Sequence, residues 1–194
     1  MRKTTIVTAV LLLTVAAAAQ AATYKIDPSH SAVSFKVRHL MISTVRGSFD
    51  EFSGSFTYLK DNPAQWQVAA EIQTASVNTN DDKRDDHLRT ADFFDVEKFP
   101  TMTFRSTKVT GQGERFKLHG DLTLLGVTKP VVFDLEITGE TIDPWGNHRV
   151  GFSAIGKLDR KEWGMTWSTA LDSGGVMVGD EVGIELEIQG IQES

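Results

Sequence analysis

The side chains that could do chemistry in this sequence are scattered along it. The five histidines, His30, His39, His87, His119 and His148, are all more than four residues apart, and there is no cysteine. That removes thiol nucleophiles and thiolate metal sites, and no two imidazoles share a helix face at metal-ligand spacing. Asp27, Ser29 and His30 are the residue types of a hydrolytic triad. On an extended chain, however, adjacent side chains point to opposite faces, and no G-x-S-x-G elbow is present, so the set is expected to be accidental. Gly111-Gln112-Gly113 reads as a hairpin turn, because a phosphate cradle needs a helix to follow it. The densest titratable cluster is Arg84, Asp85, His87 and Arg89. It suits either ion pairing on a helix surface, worth little per pair, or a polar gate around a ligand head group.

The elements that would position these groups are strands. Val33, Phe35, Val37 and His39 fall on one face of an alternating segment, and Val68, Ala70 and Ile72 on one face of another. Val131, Phe133, Leu135 and Ile137 repeat the pattern, as do Val182, Ile184, Leu186 and Ile188. Period two with one apolar and one polar face predicts antiparallel strands. Further strands are expected over 24–27, 45–52, 55–59, 101–110, 115–124 and 148–158. Asp143-Pro144-Trp145-Gly146 carries the residues of a type I turn. The prolines, at 28, 63, 100, 130 and 144, are expected at or outside strand ends.

One stretch departs from alternation. Residues 80–90 open with Asn80, Asp81 and Asp82 and close with Arg89, the charge order of a short helix. Residues 91–100 then bring Phe93, Phe94 and Phe99 outside any strand, so they are expected to pack across a mouth or flank of the sheet. About eight strands would form a sandwich or a closed barrel, and an eight-stranded barrel has room for packed side chains or one small ligand. Trp163, Met165 and Trp167 share a face; core filling is the default for such side chains, and lining a lipid tunnel is the functional alternative that uses the same residues.

Composition narrows the partners. Of 194 residues, 40% are hydrophobic and 24% charged, the balance of a globular domain. A net charge of −6 with no basic block argues against nucleic acid. The N-terminus is a leader by its grammar: Arg2 and Lys3, an apolar run from Ile6 to Ala19, then Ala19-Gln20-Ala21 as a small-x-small cleavage site. The run is short for a membrane span. Cleavage after Ala21 would leave one domain, residues 22–194, of 194 − 21 = 173 residues; losing two cations takes its charge from −6 to −8.

Several blocks together resemble the YceI family of exported, lipocalin-like proteins. They are Tyr24-Lys25-Ile26-Asp27, Phe35 with His39-Leu40, and Gly47-x-Phe49-x-x-Phe52-x-Gly54-x-Phe56. The central block is Arg84-Asp85-x-His87-Leu88-Arg89-x-Ala91-Asp92-Phe93-Phe94, continuing to Pro100-x-x-Thr103-Phe104. Gly120–Leu124, Gly126–Val131, Asp143–Gly146 and Gly151-Phe152 complete the set, which spans the chain beyond the leader.

The resemblance implies an all-β fold, an eight-stranded antiparallel barrel with one short helix and an apolar tunnel. It also implies a periplasmic binding or carrier role for a polyisoprenoid, an isoprenoid quinone or a fatty chain, with no catalytic residue and no cofactor beyond such a lipid. Phe35, Val37, Phe49, Phe56, Ile72 and Phe104 are then wall candidates, with Phe133, Phe152 and Ile184. His39, Arg84 and Arg89 are candidate head-group contacts. Two alternatives stand beside it: a lipid-modifying enzyme using His39 or His87 as general base, and a filled barrel acting through its surface. An incompletely closed barrel would also expose edge strands through which two copies could pair as a homodimer.

Overall fold

The computed structural model describes residues 20–172 and 174–193. The expected leader, residues 1–21, lies outside them except for Gln20 and Ala21. Among the described residues no helix is long and apolar enough to cross a membrane.

The chain runs as β1 (Ala22–Ile26), β2 (Ala32–His39), β3 (Ser43–Phe49), β4 (Phe52–Tyr58), β5 (Gln67–Gln73) and β6 (Val77–Asn78), then the helix α1 (Asp82–Arg89). β7 (Thr101–Gln112), β8 (Arg115–Leu124), β9 (Val127–Ile142), β10 (His148–Asp159) and β11 (Val178–Gln192) follow. All pairings are antiparallel, and the register shows that the first six strands are three broken staves. β1 and β2 lie end to end along β11, with Tyr24 opposite Gln192 and Val33 opposite Leu186. β3 and β4 return along that stave, and β5 and β6 along the next. With β7 to β11 this makes eight staves, and the β1–β11 pairing closes the ring.

Closure answers two expectations at once. The protein is an eight-stranded antiparallel barrel with one helix, as the resemblance implied. The edges that a strand-paired homodimer would need are used up by the ring. Stretches at the rims keep a single neighbour: Ser43–Gly47 of β3, where only Ser48 and Phe49 gain a second, Lys108–Gln112 of β7 and Val127–Phe133 of β9.

Period two decides what faces inward. Phe116, Leu118, Leu122 and Leu124 are buried along β8, and Val131, Phe133 and Leu135 along β9, with exposed residues between those of β9. The wall is thin where glycine points inward. A Cβ on Gly156 would stand 2.5 Å from Phe133 Cδ1, and one on Gly47 2.5 Å from Phe35 Cζ. These rings occupy the space a side chain would take, so they line the interior without filling it.

The helix forms where the charge order placed it. Asp81 caps it, its carboxylate accepting from Arg84 N–H at 3.1 Å. Residues 90–100 wrap from α1 to β7, and Phe94 packs edge-on against Phe49 with ring centroids 5.3 Å apart.

Candidate functional site

A cavity of about 620 Å³ runs down the barrel, and its wall is almost wholly apolar. The interior is therefore not a filled core. Val178, Val182, Ile184, Leu186 and Ile188 of β11 all line it. Ten residues of strand at ~3.3 Å each, tilted about 40°, give a depth of about 25 Å. Spread over that depth, 620 Å³ leaves a mean section of about 25 Å², so the space is a narrow channel and not a broad pocket.

One end opens to solvent, because the exposed Arg38, Asp81 and Lys83 belong to the wall there. Three pieces of chain frame that mouth: the β2–β3 hairpin, α1, and the segment 164–177 between β10 and β11. The other end is floored by aromatic rings. Phe56 and Phe152 meet at 5.3 Å, Tyr58 and Trp66 at 4.9 Å, and Trp66 and Phe116 at 4.7 Å. Tyr24 stacks on Phe56 at 5.3 Å. The polar atoms of this floor are satisfied outward: Tyr58 O–H donates to Glu140 at 2.8 Å, and Trp66 Nε1–H to the Leu59 carbonyl at 2.8 Å. Burial, with the Glu140 hydrogen bond, pushes the Tyr58 phenol above its ordinary value, so it stays neutral.

The residues singled out in the sequence gather in this wall, with one exception. His39, Val37 and Phe35 follow one another down β2, opposite Val178, Val182 and Ile184. Phe35 meets Phe49 at 5.6 Å and Phe104 meets Phe133 at 5.7 Å. Ile72, Phe56 and Phe152 complete the apolar set. Arg84 also borders the cavity, but its guanidinium is bound around Thr79, donating from Nε to Oγ1 at 2.7 Å and from Nη2 to the carbonyl at 2.9 Å. Thr79 in turn donates through both N–H and O–H to the buried Asp85 carboxylate.

Arg89 is the exception. It lies outside the cavity wall, donating to the carbonyls of Ala75 at 2.9 Å and Val77 at 3.0 Å and pairing with Asp86. The reason is helical geometry: five residues separate it from Arg84, about 140° around the axis. Arg84, His87 and Leu88 share the cavity-facing side, and Arg89 pins α1 to the β5–β6 stave.

Sequence reasoning did not single out several wall residues. Trp66 and the buried Arg160 line the cavity. Trp66 stands alone at a strand start, and nothing in its neighbourhood marks it. Arg160 donates to the carbonyls of Met165 at 2.7 Å, Gly179 at 2.9 Å and Val178 at 3.2 Å, so it staples the base of the 164–177 segment. Burial lowers its pKa from the usual guanidinium value, partly offset by Asp180 and Asp159. Trp163, Met165 and Trp167 all reach the wall, and Trp163 and Met165 are at the same time buried in the core, so both readings hold. His87 sits edge-on to Trp167 at 4.8 Å and to Phe93 at 5.1 Å, with Nε2 2.9 Å from the Asp92 carboxylate. That pair brings an imidazole and a carboxylate together at the mouth, a juxtaposition the five-residue spacing does not announce.

The accidental triad needs a correction. Pro28–His30 is a 3-10 turn capped by Asp27, not extended chain, so the three side chains do converge. Ser29 Oγ donates to Asp27 at 2.6 Å, and His30 Nδ1 lies 2.9 Å from both Ser29 Oγ and Asp27 Oδ2. Serine and carboxylate meet the same ring nitrogen, whereas a relay needs them on opposite nitrogens. The Asp27 carboxylate instead joins an ion-pair chain: Arg149 reaches it at 2.8 Å and Asp143 at 2.7 Å. The Ser29 hydrogen bond, then those of Arg149 and His30, hold Asp27 well below the carboxylate range despite burial. Burial alone would raise Asp143, but Arg149 and Asn147 hold it low as well.

Comparison with known proteins agrees with the geometry. The YceI-like domain family matches residues 24–190. A UPF0312 protein of Photorhabdus laumondii is 42% identical over 188 residues, covering 96% of this chain and 95% of that one. Among solved structures, the Campylobacter jejuni YceI protein superposes with a TM-score of 0.70 at 33% identity, over 81% of this chain and 90% of that one. A domain from Saccharophagus degradans, described as polyisoprenoid-binding, shares the fold at 16% identity with a TM-score of 0.66, over 88% of this chain and 98% of that one. With the family matching nearly all of the barrel and relatives above 40% identity along it, this chain belongs to the YceI family.

Proposed function

We propose that the protein binds one long-chain amphiphile, an isoprenoid lipid, an isoprenoid quinone or a comparable fatty chain, and carries it in the periplasm after export. The observation that carries this reading is the channel itself: deep, narrow, apolar to its floor, and open where polar side chains collect. A tail lying in it would gain ~0.8 kcal/mol for each CH₂ withdrawn from water, less the entropy of ordering the chain. Tail length therefore sets affinity more than head-group identity does. Phe35, Phe49, Phe104, Phe133, Phe152 and Ile184 are the wall that the tail would touch, and His39, Arg84 and His87 stand where its head would emerge. The S. degradans domain's description as polyisoprenoid-binding supports the same ligand class. Export is supported by the leader grammar of residues 1–21.

The test is extraction of the purified protein with organic solvent and mass spectrometry of what it carries. A stoichiometric long-chain lipid is expected. Protein that is repeatedly empty, and that takes up no isoprenoid or fatty chain when offered one, overturns the reading. Export is tested by cell fractionation and by sequencing the mature N-terminus, expected at Ala22.

The His87–Asp92 pair favours a second reading, in which the mouth carries out proton transfer on the head group. His87→Gln decides between them. A carrier keeps its lipid content in that variant, whereas an enzyme loses turnover of its bound lipid.

A further inference from the structure

The hairpin between β2 and β3 spends an exposed tip on apolar side chains. Leu40 and Met41 are consecutive non-glycine residues in left-handed backbone, φ 50° and 61°, where tight hairpins favour asparagine and glycine. Met41 is 50% exposed and Ile42 80%. The tip is nevertheless well held. Arg38 Nη2 donates to the Met41 carbonyl at 2.7 Å and Nη1 to Thr44 Oγ1 at 3.2 Å, and Leu40 N–H donates to the Met177 carbonyl at 2.8 Å. Met41 lies partly against Gly175, where a Cβ on the glycine would stand 3.1 Å from the Met41 Cγ. Unfavourable backbone that leaves half of Met41 and most of Ile42 in water nonetheless breaks the local rules in a way that marks a working surface.

Two further observations say what the surface meets. The hairpin is continuous with the channel mouth, since Arg38, His39 and the hydrogen-bonded Met177 all line the cavity. It also carries no acid of its own in an acidic protein: residues 31–49 contain Lys36, which pairs with Glu185 of β11, together with Arg38 and Arg46, and no Asp or Glu, although the chain carries −6 overall. α1, elsewhere on the mouth, is mixed in charge, with Asp81, Asp82, Asp85 and Asp86 set against Lys83, Arg84 and Arg89, so the acid-free hairpin is the more basic of the two.

We propose that the Leu40-Met41-Ile42 tip is a membrane wedge. Met41 and Ile42 enter the acyl boundary of a phospholipid bilayer while the Arg38 guanidinium stays at phosphate level. The mouth then opens against the lipid surface, and a tail passes between bilayer and channel with little exposure to water. The proposal builds on the lipid-binding reading above, but membrane contact is measured separately from cargo.

The test is flotation of the full protein with vesicles of phosphatidylethanolamine and phosphatidylglycerol, alongside mass spectrometry of bound lipid. Wild-type protein is expected to float, and the double variant Met41→Ser, Ile42→Ser to partition about tenfold more weakly. Neither residue lines the channel, so binding at equilibrium of a long-chain lipid offered in detergent is expected to be unchanged. Ile42→Trp is expected to strengthen flotation, which keeps the test sound if the serine variant folds poorly. Equal flotation of wild type and serine variant overturns the proposal, as does absence of flotation in wild type. Dimers that the serine variant dissociates, without vesicle binding, also overturn it and assign the tip and the bare β3 edge to a second copy. Tip-dependent flotation of a protein that holds no lipid leaves the wedge standing and removes the carrier reading.

Discussion

Phe133 packs over Gly156 across the β9–β10 pair, so that a Cβ on the glycine would stand 2.5 Å from the ring's Cδ1 and 2.9 Å from Cε1. The missing side chain lets a large ring lie against the wall of the channel instead of across it. Gly156→Ala is therefore expected to drive Phe133 inward, costing about 1–3 kcal/mol as overpacking and narrowing the channel. Urea unfolding should show the lower midpoint, and bound lipid per protein should fall. An alanine variant with wild-type stability and lipid content would mean that the ring has other room to move.

The difference between what the sequence disclosed and what it hid follows from distance along the chain. Inward alternation is local, so Val131, Phe133 and Leu135 could be assigned to the interior by period alone. Closure depends on Tyr24 meeting Gln192, a pairing across almost the whole chain that no local pattern encodes. The breaks in the first three staves were visible only as short strands. On extended chain His30 points away from Asp27 and Ser29, whereas the turn begun at Pro28 folds all three together. Arg84 and Arg89 have the same chemistry and lie within one short helix, yet only Arg84 borders the channel.

Channel depth predicts a change in cargo length. Leu186 lines the deep part of the channel, eight residues along β11 from the mouth at Val178 and two short of the floor at Ile188. Leu186→Trp would place a ring across a passage about one chain wide and divide it. The variant is expected to lose long tails and keep shorter ones, at a packing cost of about 1–3 kcal/mol. Mass spectrometry of the extracted lipid should show the distribution shifted to shorter chains. The same long species at the same abundance would argue against a tail reaching the floor.

The Asp27–Arg149–Asp143 chain predicts acid sensitivity. Both carboxyls are held below their unfolded values, so they bind protons less readily in the folded protein. Their stabilising contribution is complete above the unfolded carboxylate pKa of about 3.9 and is lost as pH falls from there through the depressed folded values. Arg149→Met removes the cation common to both. It is expected to lower the melting temperature at neutral pH and to flatten the dependence of stability on pH below about 4. Parallel acid-unfolding curves for wild type and variant would show that the depression arises from Ser29 and Asn147 instead.

The two helix arginines predict opposite phenotypes. Arg89 joins α1 to the β5–β6 stave through the Ala75 and Val77 carbonyls and stays clear of the channel, so Arg89→Ala should loosen the helix without altering the site. Faster amide exchange across Asp82–Arg89 and unchanged lipid content are expected. Arg84→Gln keeps a donor for Thr79 but removes the charge beside the mouth. It should leave exchange in α1 near wild type and weaken retention of a lipid with an anionic head, while a neutral head such as a quinone is held as before. Measuring both readouts in both variants separates the residue that holds the helix in place from the one that faces the ligand. Loss of lipid in Arg89→Ala with normal exchange would mean that Arg89 reaches the head group after all.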